Sequence, residues 1–318
     1  VCGYPKIGRI LRLDSGLTEL FEHPVHAEEK VDGYNVRVFR HGEDLIALTR
    51  RGYVCPFTTD RLPDLIDTSI FARRPDLVLC MEVAGPENPY NAVAPPYVKE
   101  DVAAFVFDIM RIGHSGFLPR AERLALVEKH DLPGVPQYGG FALTETARLY
   151  DLIRELDRKG HEGVVLKQDQ VETVRAKYVT GRINLSDIRC TSNAVHQLPP
   201  EYYTERILRL ALYLDETGEK PTDALYRQLG SALLDGILAA IDQYRREGAV
   251  THPHRCRFRD KANAELMVAS MKRLLGKNLM QVTRLEQQGD YWLLEFEKVL
   301  PKTTGLLRNL LRGGLVYD

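Results

Sequence analysis

The spacing of apolar residues changes at about residue 199, and this change constrains the fold more than any other feature of the 318-residue sequence. Before it, short apolar runs are separated by turn residues such as Asp32-Gly33, a pattern typical of β-strands. After it, residues 201–214 and 223–246 carry apolar side chains at helical intervals. Chains of this length usually divide into two domains. We therefore predict an α+β chain with a strand-rich domain at 1–190 and a mainly helical domain at 191–318.

Periodicity and turn residues also predict the individual elements. Strands are predicted at 25–30, 35–40, 45–50, 77–83, 103–109 and 163–168. Helices are predicted at 121–130, 145–158, 201–214, 223–246, 262–275 and 304–311. Residues 280–285 and 291–299 flank a Gln-Gln-Gly-Asp segment and are predicted to form a hairpin.

Composition argues against membrane and secreted classes of protein. No run of eighteen apolar residues is present, so we expect no transmembrane helix. The first residues lack the apolar region of a signal peptide. The five cysteines are scattered and form no CxxC pair. This argues against a disulfide framework and predicts a cytoplasmic location.

The net charge is only −1, but the local distribution of basic residues favours a nucleic-acid partner. Arg255, Arg257 and Arg259 alternate with apolar residues, which on a strand would place the three guanidinium groups on one face. Such a row suits the phosphate backbone of RNA. A solvated strand face is the alternative, and the sequence does not choose between them.

Lys30 lies in the segment EEKVDGYNVRV at residues 28–38, which contains a KxDG element between two predicted strands. A lysine before an Asp-Gly turn is common by chance. The order of the later segments makes it specific: LTRRGYVCPFTTDR at 48–61, EVAGPENPY at 82–90, FVFDI at 105–109, EGVVLK at 162–167 and AKYVT at 176–180.

This ordered set resembles the covalent nucleotidyltransferase superfamily of DNA ligases, RNA ligases and mRNA capping enzymes. The wider segments are most similar to the archaeal-type ATP-dependent RNA ligases, over residues 1–185 and more loosely beyond. The resemblance implies an antiparallel-sheet, ATP-grasp-like nucleotidyltransferase domain. It implies an enzyme that joins 5′-phosphate and 3′-hydroxyl RNA ends through a lysyl-AMP and an RNA-adenylate. In the archaeal enzymes an N-terminal module precedes the catalytic core, whereas 29 residues precede Lys30 here.

The nucleophile implied by the resemblance is Lys30, which would take AMP from ATP. An attacking amine must be unprotonated, yet an isolated lysine has a pKa of about 10.4. Burial and neighbouring cations disfavour the charged form. We expect Lys167 and Lys177 to provide that positive field and to stabilise charge on the transferred phosphate.

The resemblance also implies a nucleotide pocket and a metal ligand. Phe107 would stack on adenine, with Glu29 beside the base and Asn35 near the sugar or the α-phosphate. Arg50 (with Arg51 as the alternative) and Glu82 would contact the ribose or phosphate. Glu162 would hold Mg²⁺ or Mn²⁺, which suit oxygen ligands. The full predicted nucleotide set is Glu29, Asn35, Arg50, Glu82, Phe107, Glu162, Lys167 and Lys177.

Several alternatives stay open from the sequence. Phe107 could be plain core, and Asp32 could simply order its turn. A DNA ligase or capping enzyme usually appends an OB-fold of short strands, which the helical tail disfavours. A non-catalytic RNA-binding protein on the same fold is disfavoured by the intact lysines and Glu162. Dimeric archaeal relatives and the apolar surface of the tail predict a homodimer through residues 191–318.

Overall fold

The computed structural model describes residues 1–91, 93–168, 174–194, 196–199 and 201–315. Its strands, in chain order, are β1 Gly8–Arg9, β2 Val25–Glu29, β3 Tyr34–His41, β4 Asp44–Thr49, β5 Leu77–Ala84, β6 Ala103–Arg111, β7 Gln137–Phe141, β8 Gly163–Gln168, β9 Arg175–Val179, β10 Thr251–Phe258, β11 Met280–Gln288 and β12 Tyr291–Val299. Its α-helices are α1 Leu13–Leu20, α2 Pro56–Leu65, α3 Ile70–Arg73, α4 Arg120–Lys129, α5 Thr146–Lys159, α6 Gly181–Thr191, α7 Glu201–Thr217, α8 Asp223–Glu247, α9 Lys261–Leu275 and α10 Pro301–Leu310.

Within these residues the strands form three sheets. The first has the order β1-β9-β8-β2-β7, the second β4-β3-β5-β6, and the third β10-β12-β11. Neighbouring strands are antiparallel except for β1 and β9, which are parallel. The predicted α+β class with antiparallel sheets is therefore confirmed.

Two hydrophobic cores support the sheets of residues 1–190. Helices α1 and α5 cover the first sheet, where Leu17 and Ile153 are fully buried. The second sheet packs through α2 on the third sheet, so that Phe57 of α2 lies 5.4 Å from Phe258 of β10, centroid to centroid. One continuous core thus joins the second sheet to β10–β12 and α9.

The C-terminal region combines helices with a sheet. Helices α7 and α8 both pack against α6 and carry exposed leucines, among them Leu208 and Leu234. The predicted hairpin is β11 and β12, with Gly289 at its turn. The mainly helical description fits residues 201–247, while residues 251–299 add the third sheet and α9. Among the described residues, none of the helices is both long and apolar enough to cross a membrane.

Candidate active site

Residues from the first two sheets line a cavity of about 420 Å³. The first sheet contributes side chains from β2, β8 and β9, and the second from β3 to β6. Eight of the predicted site residues line the cavity: Glu29, Lys30, Asn35, Arg50, Glu82, Phe107, Lys167 and Lys177. Arg51 lines it as well, so position alone does not separate Arg50 from Arg51.

Lys30 is held at the cavity by the turn that follows β2. Its backbone N–H donates to the carbonyl of Gly163 at 2.9 Å. In the turn, a Cβ on Gly33 would lie 2.4 Å from the carbonyl oxygen of Val83, so only glycine lets the turn approach β5 this closely. The Asp-Gly pair therefore fixes where the Lys30 side chain enters the cavity.

The charge environment of Lys30 is acidic. Its Nζ lies 2.5 Å from Glu162 Oε2, and both side chains are mostly buried. Burial alone would lower the pKa of Lys30, but Glu162, Glu82 and Asp32 outweigh burial and raise it. The expectation that neighbouring cations lower this pKa is therefore wrong for the substrate-free protein, because carboxylates are the nearest charges.

Two of these carboxylates have raised pKa values of their own. Burial, reinforced by the charge of Glu162, raises the pKa of Glu82 to about 8 and that of Asp32 to about 7. A cation bound beside these carboxyl groups would stabilise their ionised forms. Among the described residues, no group of three or more His, Cys, Asp or Glu side chains is placed to hold a metal. Mg²⁺ usually takes only one or two carboxylates besides substrate phosphates, and Glu162 with Asp32 can supply these.

Lys177, at the cavity, has a lowered pKa. Burial, the charge of Arg9 and the charge of Lys30 lower it to about 8. Among the described residues Lys177 has no carboxylate at ion-pair distance. Its charge is therefore available to an anionic ligand in the cavity.

Lys167 belongs to a buried ionic network beneath the cavity. Its Nζ lies 2.7 Å from Glu28 Oε2, 3.2 Å from Asp108 Oδ1 and 2.7 Å from the carbonyl of Phe107. Arg123 also pairs with Glu28, and Arg175 pairs with Asp108 at 2.5 Å. The network holds three cations and two carboxylates, so one positive charge is in excess at the cavity wall.

An apolar slot lies beside this network. Phe107 lines the cavity together with Val31, Val135 and Val165. The ring of Tyr4 packs edge-on against the Phe107 ring with 5.2 Å between centroids. Phe107 therefore belongs to the cavity wall as well as to the core, and its predicted stacking on adenine stays a prediction.

Polar groups at the slot are either held in place or unpartnered. Glu29 accepts a hydrogen bond from Tyr138 at 2.7 Å and lies 3.0 Å from His161 Nδ1. Asn35 is opposite Glu82 in the sheet register, and its Oδ1 is buried without a hydrogen-bond partner in the described part of the chain. A buried acceptor of this kind is costly unless a ligand donates to it.

The arginine strip of β10 contacts the catalytic region. Arg257 pairs with Glu87 at 2.9 Å and Arg255 approaches the same oxygen at 3.5 Å. Arg259 pairs with Asp64 of α2. RNA binding by this strip stays a prediction, but these contacts favour a structural role between the third sheet and the catalytic domain.

Comparison with known proteins matches both halves of the chain. A family model described as RNA ligase matches residues 23–179, and one described as Ligase Pab1020 C-terminal region matches residues 190–314. An archaeal ATP-dependent RNA ligase (form 2) has a TM-score of 0.90 at 30% identity, covering 99% of this chain and 84% of that chain. The chain belongs to the RNA ligase family.

Two further proteins are similar to this chain. A solved structure from Aquifex aeolicus, provisionally named an ATP-dependent DNA ligase, is 50% identical with a TM-score of 0.94 and covers all of this chain and 88% of that chain. An uncharacterised protein of Methanocaldococcus jannaschii is 30% identical over 253 residues, which make up 76% of this chain and 63% of that protein. The chain therefore spans less than two thirds of this relative's length.

Several residues of this RNA ligase-family site were not predicted from the sequence. Tyr4 and Ile7 line the cavity from the N-terminal segment, and Tyr90 lines it from a loop. Arg123 and Arg175 complete the buried network. Arg175 immediately precedes the AKYVT segment and could have been suspected. Tyr4 and Arg123 carry no local signal, because only the tertiary fold brings them to the cavity.

Proposed function

We propose that this protein is an ATP-dependent RNA ligase that joins 5′-phosphate and 3′-hydroxyl ends through a covalent adenylate on Lys30. The single observation that carries the proposal is the position of Lys30. It lies at the wall of a nucleotide-sized cavity, 2.5 Å from Glu162, with an apolar slot on one side and unpaired Lys177 on another.

In the first step the cavity binds ATP and Lys30 attacks its α-phosphorus. The slot around Phe107 accepts adenine, and Asn35 Oδ1 accepts a hydrogen bond from the sugar. The Nζ–P bond forms, the bond to pyrophosphate breaks, and Nζ loses its proton. Lys177 and the excess charge at Lys167 stabilise the negative charge that develops.

Deprotonation of Lys30 is coupled to substrate binding in this scheme. Without substrate, Glu162 favours the protonated amine, so the nucleophile is held inactive. Glu162 and Asp32 fit as ligands of Mg²⁺ or Mn²⁺, and a divalent ion bound there would offset their charge and lower the pKa of Lys30.

In the second step an oxygen of the RNA 5′-phosphate attacks the adenylate phosphorus, the N–P bond breaks, and Lys30 Nζ takes up a proton and leaves as the amine. In the third, the 3′-hydroxyl attacks the 5′-phosphorus, loses its proton and releases AMP. Holding both ends together makes this step effectively unimolecular, which supplies much of its acceleration.

The choice of RNA over DNA is tested by substrate competition. DNA ligation is the second candidate, because the Aquifex aeolicus structure at 50% identity is provisionally named a DNA ligase. Matched 5′-phosphorylated RNA and DNA strands should be offered with ATP and Mg²⁺. We expect faster sealing of RNA. Equal or faster sealing of DNA would contradict the RNA assignment while leaving the adenylate chemistry intact.

We also propose a homodimer through the C-terminal region. Leu208, Leu234 and Leu238 are 55%, 55% and 50% exposed on α7 and α8, which both pack on α6, and together they offer apolar surface that a second copy could bury. Light scattering over a concentration series tests the proposal, with Leu234→Asp expected to shift the protein towards monomer. A wild-type monomer at micromolar concentration would contradict it.

A further inference from the structure

The short strand β1 places a cation beside Lys177. Arg9 is the register partner of Lys177 in the parallel pairing of β1 and β9, and the next residue, Ile10, donates its N–H to the Lys177 carbonyl at 2.9 Å. Side chains of directly paired residues lie on the same face of a sheet. Since Lys177 lines the cavity, Arg9 lies on the cavity face of the sheet, just beyond the lining residues.

Neither of these two side chains is neutralised. Arg9 is partly buried, and among the described residues neither Arg9 nor Lys177 has a carboxylate within ion-pair distance. Glu162, the nearby carboxylate, is engaged by Lys30 at 2.5 Å. Partly buried cations without a partner are costly, which is an indication of an anionic ligand.

Helix α7 is joined by an ion pair of 2.6 Å to the segment that follows β1, and it carries two further arginines. Arg206 and Arg209 have side chains only 13% and 16% exposed. Arg206 pairs with Asp187 at 2.9 Å and lies 3.3 Å from the centre of the Tyr202 ring, so its guanidinium is fixed. Burial and then the charges of Arg209 and Arg206 lower the pKa of Arg9, which agrees with a position of both α7 arginines near Arg9.

Cationic side chains outnumber carboxylates around Arg9 and Lys177. Arg209 pairs at 2.7 Å with Glu205, which is 55% exposed and therefore solvated. Asp187 is the other carboxylate paired with these arginines in the described structure. Four cations thus face two carboxylates, one of them on the solvent side.

We infer a phosphate subsite just outside the nucleotide cavity, formed jointly by the N-terminal strand and the C-terminal region. Four side chains form it, and we call them the outer cation cluster: Arg9, Lys177, Arg206 and Arg209. Guanidinium groups match phosphate oxygens in geometry and stay charged. The inference rests on the proposed function, in which two phosphate groups must pass this point. One is the pyrophosphate portion of ATP, and the other is the 5′-phosphate of the RNA end.

The cluster has a consequence for the order of the reaction. If one subsite serves both groups, pyrophosphate must leave before the 5′-phosphate can bind. Because α7 belongs to the C-terminal region, that region would also take part directly in substrate binding.

The test compares Arg9→Gln and Arg209→Gln with the wild-type protein. Arg9→Lys keeps the charge, and Arg12→Gln is the matched control, because Arg12 is 48% exposed and pairs with Asp215 of the same helix α7. Binding of inorganic pyrophosphate is measured by calorimetry on the intact protein. Adenylate formation is measured against ATP concentration, and transfer of AMP from isolated adenylated protein is measured against the concentration of 5′-phosphorylated RNA.

Loss of one charged hydrogen-bond donor should weaken phosphate binding by roughly ten- to a hundredfold in the two Gln variants. Arg9→Lys should recover part of the loss, and Arg12→Gln should match the wild type. A defect confined to ATP and pyrophosphate identifies the pyrophosphate portion as the ligand, and one confined to RNA transfer identifies the 5′-phosphate. Defects in both support successive use of the subsite.

Unchanged pyrophosphate binding, adenylylation and transfer in both Gln variants would overturn the subsite. A fall in melting temperature that Arg12→Gln shares, with equal losses in every assay, would also overturn it in favour of a structural role. Wild-type protein that binds pyrophosphate but forms no adenylate would count against the proposed function and not against the subsite.

Discussion

The buried network at Lys167 allows a prediction that depends on the sign of its excess charge. Three cations, Lys167, Arg123 and Arg175, meet two carboxylates, Glu28 and Asp108. Lys167→Met removes the excess positive charge and leaves each carboxylate with an arginine. Glu28→Gln breaks the same 2.7 Å ion pair but leaves three buried cations against one carboxylate.

The two substitutions should therefore differ in stability although they remove one shared contact. Lys167 and Glu28 have side chains only 7% and 1% exposed, so desolvation decides the outcome. An uncompensated buried charge costs about 3–5 kcal/mol, which is the expected loss for Glu28→Gln. For Lys167→Met we expect at most about 2 kcal/mol, because the lost hydrogen bonds are offset by removal of a buried ion.

Urea unfolding followed by circular dichroism measures both losses, and adenylate formation from labelled ATP measures activity on the same samples. Lys167→Met should stay folded while forming adenylate much more slowly, because the excess charge that meets the phosphate is gone. A loss of stability for Lys167→Met equal to or greater than that for Glu28→Gln would refute the charge count. Normal adenylate formation by Lys167→Met would refute its catalytic role.

Three further predictions concern other parts of the molecule. Phe107→Ala should weaken the use of ATP by about 1–3 kcal/mol, the usual value of base stacking, and an unchanged dependence on ATP concentration would assign the ring to the core alone. The triple change Arg255/Arg257/Arg259→Ala should lower the melting temperature and leave adenylate formation intact. If these arginines instead contact RNA phosphates, the plot of log binding constant against log salt concentration should become shallower by about 0.7 for each lost contact. Burial and then the charges of nearby cationic groups lower the pKa of His254 to about 3. Below its unfolded pKa of about 6.5 the unfolded chain takes up a proton that the folded chain does not. The contribution of His254 to folding stability should therefore fall by about 1.4 kcal/mol per pH unit between pH 6 and 4, and His254→Phe should change the measured slope by that amount. An identical acid slope in the variant would contradict this.

Much of the secondary structure could be predicted because its periodicity is strong. The helices at α5 and α8 and the hairpin of β11 and β12 agree with prediction to within one to three residues at each end. Helix α2 was missed because Pro56 and Pro63 disguise it and its buried face includes Arg61. Strand β1 was missed because two residues are too few to show an alternation of apolar and polar side chains.

Long-range packing is what the sequence could not reveal. The alternation at 255–259 predicted a strand, and β10 is that strand. It did not indicate that Phe258 enters the same core as Phe57 of the catalytic domain, which is why the arginines of β10 meet Glu87 and Asp64.

Eight of the residues predicted for the candidate site lie around one cavity, while the charges around Lys30 were not predicted correctly. Lys30, Asn35 and Lys177, which come from three different sequence segments, all line that cavity, and their roles stay predictions. The direction of the pKa shift of Lys30 was wrong, because it depends on which carboxylates the fold brings nearby. Glu162 is 132 positions away in the chain but 2.5 Å away in space.

The central claim is that Lys30 carries the AMP, and peptide mass spectrometry after incubation with ATP and Mg²⁺ tests it directly. We predict an acid-labile AMP adduct on the peptide that contains Lys30 and its transfer to a 5′-phosphorylated RNA. We predict no adduct in Lys30→Ala or in Lys30→Arg, whose guanidinium stays protonated and is a poor nucleophile. An undiminished adduct on the Lys30→Ala protein would contradict the account.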